Sequence, residues 1–148
     1  MDPFDEFSRP LKVEKRELCT FFYLRPRKKW AGRELAVAYD ERFPLAPEFK
    51  CRYSYIVRYL EKGNCAGNHY HIDKAEIMQP LVGEFEIKLE DIKTKKKESF
   101  IVRSRDNVAF YAPAKVAHLM KSLGETGIML LTASTPAQES DIFPYSIN

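Results

Sequence analysis

The chain has 148 residues, of which 45% are hydrophobic, 30% charged and 13% aromatic, so it is long enough for one domain with a substantial core. Its 24 lysines and arginines against 21 aspartates and glutamates give a net charge of +3, which lacks the concentrated basic character of a nucleic-acid-binding protein. The longest strongly apolar stretch, residues 127–133, is far shorter than the roughly 20 residues that span a bilayer. Neither a nucleic acid nor a membrane is an expected partner.

The cysteines and the N-terminus indicate a protein of the cytoplasm. Cys19, Cys51 and Cys65 lack the paired spacing of a disulfide framework or a cysteine-based zinc site, so we expect reduced thiols. The first residues are acidic where a secretory signal would be basic. We therefore predict a cytoplasmic protein.

The first 30 residues differ in pattern from the rest of the chain. They mix acidic, basic and aromatic side chains, and only residues 18–24 are typical of a strand. We predict an N-terminal extension, residues 1–30, that adds strands to a single domain formed by residues 31–148. Strands of this kind pair with a sheet edge, in the same chain or in a neighbouring subunit, and we predict a homodimer.

Short apolar segments with a two-residue period follow. In residues 52–60 the odd positions, from Tyr53 to Tyr59, share one face of a strand. Residues 84–90 alternate charged and apolar side chains without a break, which predicts a strand with one buried face. Further strands are predicted at residues 35–39, 99–102, 108–111, 117–120 and 127–132. Strands at this spacing, with no long amphipathic helix, indicate an all-β sandwich or barrel.

All three histidines of the chain fall into a pattern typical of a metal site. His69 and His71 are two residues apart, so both imidazoles point to the same face of an extended strand. Glu76 follows after a polar turn, and His118 follows a further pair of strands. Three imidazoles and a carboxylate suit zinc, iron, nickel, copper or manganese, whereas magnesium and calcium prefer oxygen ligands. A bare His-x-His pair also occurs in ordinary strands, and residue types alone leave that alternative open.

The spacing of this first cluster resembles the first motif of the cupin superfamily. The motif places glycine, two histidines, glutamate and a second glycine at the spacing of Gly63, His69, His71, Glu76 and Gly83, and the chain matches it without a gap. The match is specific.

The second cupin motif is matched only in part. Pro113 and His118 agree with it, while Asn107, Lys115 and Ser122 stand where the motif has glycine, glycine and asparagine. The part of the motif that supplies a ligand is therefore present, and the turn around it departs from the glycine-containing pattern.

The resemblance implies a cupin jelly-roll barrel of the RmlC-like kind, also described as a double-stranded β-helix, over about residues 52–133. It also implies a site inside the barrel mouth, with His69, His71, Glu76 and His118 as ligands of a divalent transition metal such as zinc, iron, nickel or manganese.

Two further segments, residues 67–71 and 141–145, are similar to cupins of nucleotide-sugar metabolism. These are the sugar-nucleotide 3,4-ketoisomerases and the cupin domain of capsular-polysaccharide biosynthesis reductases. Ala66 stands where both groups commonly carry arginine. Glu76 stands where the ketoisomerases tend to carry glutamine, and this favours the metal-dependent branch.

We therefore predict a metal-binding isomerase or epimerase that acts on a small carbohydrate or sugar-nucleotide substrate by metal-assisted proton transfer. Glu76, Tyr55 and Tyr111 are the catalytic candidates, and Lys115 and Tyr53 are the candidates for contact with the substrate. Glu76 is available for proton transfer only if it does not ligate, and tyrosines at these positions also suit core packing. An iron-dependent cupin dioxygenase and a non-catalytic sugar- or metal-binding module are the alternatives.

Overall fold

The computed structural model describes residue 2, residues 4–46 and residues 49–148. Within these residues the chain forms one short α-helix, α1 (Asp5–Ser8), two short 3-10 helices (Ser104–Asp106 and Glu139–Asp141) and 13 strands. The strands are β1 (Lys12–Lys15), β2 (Thr20–Tyr23), β3 (Arg27–Trp30), β4 (Arg33–Leu35), β5 (Tyr53–Tyr59), β6 (Cys65–Tyr70), β7 (Glu76–Val82), β8 (Glu84–Asp91), β9 (Lys97–Arg103), β10 (Val108–Ala112), β11 (Val116–Ser122), β12 (Gly127–Ala133) and β13 (Phe143–Pro144). No helix of the described residues has the length and apolar character needed to cross a membrane.

The strands form two antiparallel sheets that face each other. One sheet has the order β1-β2-β10-β7-β12-β5, the other has the order β13-β6-β11-β8-β9, and β3 and β4 form a separate hairpin. Many neighbours within a sheet are distant in the chain, which is the crossing pattern of a jelly roll. The predicted all-β jelly-roll barrel is confirmed.

Side chains from both sheets fill the space between them. Phe85, Ile87 and Leu89 of β8 are fully buried, as the alternating pattern predicts, and they pack with Phe110 and Met129 of the opposite sheet. Burying a side chain of this size contributes about 1.5–3 kcal/mol. This layer therefore holds the two sheets in a fixed relation, and the site described below depends on that relation.

Most of the predicted strands are confirmed with small shifts at their ends, namely those at residues 52–60, 84–90, 99–102, 108–111, 117–120 and 127–132. The strand predicted at residues 35–39 is wrong, because β4 ends at Leu35 and a loop follows. In this loop the Tyr39 hydroxyl accepts a hydrogen bond from the Cys51 backbone, and the Tyr39 ring packs 6.2 Å from the ring of Phe49. The loop covers the outer face of the six-stranded sheet instead of pairing in it.

Three strands, β1, β2 and β3, lie in the predicted N-terminal extension. Of these, β1 and β2 extend the edge of the six-stranded sheet, where β2 pairs with β10 of the same chain. The division of the chain at residue 30 and the homodimer stay predictions.

The cysteines are free thiols that differ in exposure. Cys65 is exposed, whereas burial and the nearby charge of Glu98 raise the pKa of the Cys19 thiol from 9.0 to about 12. Because the thiolate is the reactive form, we expect iodoacetamide at pH 8 to label Cys65 readily and Cys19 about 1,000-fold more slowly until denaturant is added. Peptide mass spectrometry measures both rates, and similar rates in the folded protein would contradict this expectation.

Candidate functional site

Two of the histidines lie on one sheet, the third directly follows it, and the glutamate predicted to join them lies on the other sheet. His69 belongs to β6 and pairs directly with His118 of β11. His71 follows the last residue of β6, and a short turn leads from it to Glu76, the first residue of β7. The two predicted motifs therefore meet across the space between the sheets.

A β-bulge brings β6 and β11 into this position. His118 pairs with His69 and Leu119 pairs with Gly67, so Asn68 is the extra residue, with φ of 55°. Gly67 has φ of 105°, and a Cβ at this position would lie 2.4 Å from the carbonyl oxygen of His118. Both the backbone conformation and the close contact require glycine here.

The four side chains converge on one point. One ring nitrogen from each of His69, His71 and His118 lies within 4.8 Å of the others. Glu76 Oε1 is 3.3 Å from His71 Nε2 and 3.7 Å from His118 Nε2. His71, His118 and Glu76 are buried, whereas His69 is half-buried. The cluster is therefore enclosed except on the side of His69.

The protonation of His71 is fixed by the residue behind it. Its Nδ1 lies 2.6 Å from the carbonyl oxygen of Asp141. A carbonyl oxygen only accepts hydrogen bonds, so Nδ1 carries the proton and Nε2 of the neutral ring carries a lone pair. His71 Nε2 and Glu76 Oε1 are both buried and have no hydrogen-bond partner. With the ring neutral, two electron-rich atoms face each other at 3.3 Å.

These residues fit a divalent transition metal. Buried polar atoms without a partner are rare in folded proteins, and a cation between two such atoms satisfies both. Three imidazole nitrogens and one carboxylate oxygen are the donor set that zinc, iron, nickel and manganese accept. The site thus offers such an ion ligands from both sheets.

The charges of the cluster agree with this arrangement. Burial lowers the pKa of His118 to about 4 and also lowers the pKa of His69, so both rings are neutral near pH 7, the form that binds metals. Burial raises the pKa of Glu76, but the positive charge of Lys74 and the hydrogen bond from Tyr55 help to hold it below its ordinary value. The glutamate is therefore an anion beside the imidazoles.

The second oxygen of Glu76 faces a different pair of groups. The Tyr55 hydroxyl donates a hydrogen bond of 2.5 Å to Glu76 Oε2, and Lys74 Nζ lies 3.9 Å from the same oxygen. Burial and the adjacent carboxylate raise the pKa of Tyr55, so its hydroxyl keeps its proton. One carboxylate thus links the imidazoles on one side to a protonated tyrosine and a buried lysine on the other.

Comparison with known proteins identifies the family of this fold and site. The family model described as "Polysaccharide biosynthesis C-terminal domain" matches residues 50–139, which include all four clustered residues. The chain belongs to this family. None of the curated proteins matches the chain.

Solved structures similar to this polysaccharide biosynthesis C-terminal domain include several sugar-nucleotide enzymes. The dTDP-6-deoxy-D-glucose-3,5-epimerase RmlC of Legionella pneumophila, in complex with dTDP-4-keto-L-rhamnose, has a TM-score of 0.77 and 12% identity over 90% of this chain and 76% of its own. The TDP-fucose-3,4-ketoisomerase WlaRA of Campylobacter jejuni has a TM-score of 0.72 and 18% identity over 84% and 87%. A 3,4-ketoisomerase from Helicobacter canadensis has a TM-score of 0.73 and 17% identity over 85% and 90%. The predicted cupin fold of the RmlC-like kind is confirmed.

Of the other predicted site residues of this domain, Tyr53 lies near the cluster and Tyr111 does not. Tyr53 lies in the same row of the sheet as Glu76, since both pair with Ala133, and its ring is 5.5 Å from the ring of Tyr55 at the exposed end of β5. Tyr111 pairs with Ile77 on the outer face of the sheet, where its ring packs against Phe49. The structure does not bring Tyr111 to the cluster, because the sheet separates the two.

Lys115 contacts the cluster through its backbone. Its N–H donates a hydrogen bond to the carbonyl oxygen of His71, while its side chain is exposed. Lys115 and Asn107, which replace the two glycines of the second motif, have φ of 68° and 47°. The turns of the motif therefore keep a left-handed conformation without glycine, at a cost of about 1–2 kcal/mol for an ordinary side chain.

Two residues that the sequence interpretation did not select complete the site. Lys74 is only 6% exposed although it lies in the stretch interpreted as a polar turn. Asp141 accepts hydrogen bonds from the backbone of that turn. The only sequence signal for Lys74 is its position two residues before Glu76, which places both side chains on one face of an extended segment.

Proposed function

We propose that this domain is a metal-dependent isomerase or epimerase that moves a proton next to the carbonyl group of a carbohydrate or sugar nucleotide. The observation that carries the proposal is the buried Glu76, which lies between unpartnered imidazole nitrogen on one side and a protonated tyrosine on the other. The similar structures described as 3,5-epimerase and 3,4-ketoisomerases support the substrate class.

The residues fall into two functional groups. His69, His71, His118 and Glu76 Oε1 would hold the ion. A divalent ion supplies Lewis acidity there, which stabilises negative charge on a carbonyl oxygen. Tyr55 would transfer the proton. With Glu76 Oε1 on the ion, Glu76 Oε2 acts through its hydrogen bond of 2.5 Å to the Tyr55 hydroxyl.

The reaction class follows from this pair. Removal of a proton from the carbon beside a carbonyl gives an enediolate, and return of a proton to the other face of that carbon, or to the neighbouring carbon, gives an epimer or an isomer. Burial and the adjacent carboxylate raise the pKa of Tyr55, so its hydroxyl is protonated near pH 7 and holds a proton that can be returned to the carbon. The buried ammonium of Lys74 adds positive charge beside the same carboxylate. Tyr53, which is 38% exposed, offers a ring for stacking against the substrate at the mouth.

The proposal is tested by isotope exchange. Protein loaded in turn with zinc, iron, nickel and manganese is incubated in D2O with nucleotide-linked 4-keto-6-deoxy sugars, and NMR follows deuterium uptake. We expect uptake at a carbon beside the carbonyl, and we expect Tyr55→Phe to slow it by about 10²–10⁴-fold. Tyr39→Phe, which removes a tyrosine hydroxyl from the outer loop, is the matched control and should exchange at the wild-type rate.

Three results would contradict the proposal. Oxygen consumption with iron and without exchange would indicate the dioxygenase. Tight sugar binding without exchange under any metal would indicate the binding module. Equal exchange rates in metal-free and metal-loaded protein would remove the metal from the mechanism.

A further inference from the structure

The C-terminal segment runs along the strand that carries His69. In β13, Phe143 pairs with Tyr70 and Pro144 pairs with His69. The Tyr145 backbone then donates a hydrogen bond of 2.8 Å to the carbonyl oxygen of Asn68. The chain after β12 thus returns to the site and reaches it at Asp141, just before β13.

Asp141 contacts the site through its backbone and through its side chain. Its backbone carbonyl oxygen accepts the hydrogen bond from His71 Nδ1 at 2.6 Å. Its carboxylate accepts hydrogen bonds from three consecutive backbone N–H groups, those of Ile72 at 2.8 Å, Asp73 at 3.2 Å and Lys74 at 3.2 Å. Asp141 is only 8% exposed, so water does not readily replace these contacts.

Both contacts act on the segment that joins His71 to Glu76. The carbonyl oxygen fixes the proton on Nδ1 and turns the bare Nε2 toward the cluster. The carboxylate accepts hydrogen bonds from the N–H groups of the turn and so fixes the conformation of the turn. This conformation determines where the chain enters the opposite sheet at Glu76. Without this acceptor the three N–H groups would each lose a hydrogen bond to a charged group, so an altered turn would follow.

We infer that Asp141 is the positioning residue of the site. It acts through His71 and the turn rather than on a substrate, and it makes the C-terminal segment a necessary part of the site. The effect on metal affinity rests on the proposed function, whereas the control of the His71 proton does not. Loss of such an outer partner of a ligating histidine typically weakens metal binding by about 10- to 100-fold.

Two variants and one control test this inference. Asp141→Ala removes the carboxylate, and Asp141→Asn keeps the shape with one acceptor oxygen. Tyr145→Phe is the control, because the Tyr145 hydroxyl ties the same segment to Glu90 at 2.6 Å and touches no clustered histidine. Nitrogen NMR of the metal-free proteins reports which ring nitrogen of His71 carries the proton, and competition with a chelator gives the dissociation constant for zinc.

Asp141→Ala keeps the backbone carbonyl, so it acts on His71 only by releasing the turn between His71 and Glu76. We expect this release to move the His71 ring away from the carbonyl, which gives a ring that exchanges between its two neutral forms and a zinc dissociation constant raised by about 10- to 100-fold. Asp141→Asn should fall between this variant and the wild type, and it decides the matter if the alanine protein does not fold. Tyr145→Phe should match the wild type in both measurements.

Other outcomes overturn the inference or separate it from the proposed function. A His71 signal unchanged in Asp141→Ala, or a zinc affinity within twofold of the wild type, would overturn it. An equal loss in Tyr145→Phe would do the same, since it would show that attachment of the segment alone matters. If the wild type binds no zinc, the proposed metal is lost, and the NMR measurement still decides whether Asp141 positions His71.

Discussion

Replacing Glu76 by glutamine is expected to slow proton exchange by about 10²–10⁴-fold. Glutamine keeps the shape of the side chain and an oxygen that can accept the Tyr55 hydrogen bond, but it removes the negative charge that faces the imidazoles. The variant should also retain little metal after purification, which elemental analysis measures. Glu86→Gln makes the same chemical change on β8, away from the cluster, and should keep wild-type metal content and rate.

The same substitution is expected to reduce stability. In the wild type the Lys74 ammonium is buried 3.9 Å from Glu76, and loss of one partner from a buried ion pair costs about 3–5 kcal/mol. We therefore expect a lower free energy of unfolding for metal-free Glu76→Gln, measured by denaturant titration. The double variant Lys74→Met/Glu76→Gln should recover part of this loss, because no unpaired charge stays buried. A double variant less stable than Glu76→Gln would show that Lys74 stabilises the fold without Glu76.

Replacing Gly67 by alanine is expected to have the largest effect on the fold around the site. The new Cβ would lie 2.4 Å from the carbonyl oxygen of His118, so β6 and β11 must move apart. We expect a loss of more than about 3 kcal/mol in the free energy of unfolding, since the clash adds to the cost of φ of 105°.

Gly63 provides the matched control for this prediction. It also has positive φ, of 83°, but a Cβ there would meet only Lys121 Cε at 4.0 Å. Gly63→Ala should therefore lower the free energy of unfolding only by the cost of a positive φ for alanine, about 1–2 kcal/mol, and should leave zinc affinity unchanged. Equal losses in the two variants, measured by denaturant titration, would mean that the approach of β6 to β11 is not tight.

The sequence predicts the strands whose two faces differ. β8 has one buried and one solvated face, so its alternation is complete. β7 was not predicted. It lies between β10 and β12, and at its start one face contacts the core and the other is covered by the outer loop. Apolar and polar side chains therefore do not alternate along it. It also contains Pro80, which normally argues against a central strand. Here the proline lies beside the register shift between Ile128 and Met129, where the ladder of hydrogen bonds is already interrupted.

The candidate site was predictable where its signal is local. The spacing from His69 to Glu76 determines which side chains converge, and the structure brings them together. The face of the sheet on which Tyr111 lies was not predictable. Both faces of β10 are covered by apolar groups, so the sequence pattern does not show which residues point inward. Asp141 lies 70 residues from His71 in the chain, so no local pattern connects the two.

The division of the cluster between two sheets makes its dimensions depend on the packing beneath it. Met78 lies two residues after Glu76 on the same face of β7 and is fully buried in the layer that separates the sheets. A smaller side chain at position 78 lets the sheets settle closer together, and a bulkier one forces them apart. The separation between carboxylate and imidazoles is therefore adjustable from the apolar interior, with every polar group of the site left intact.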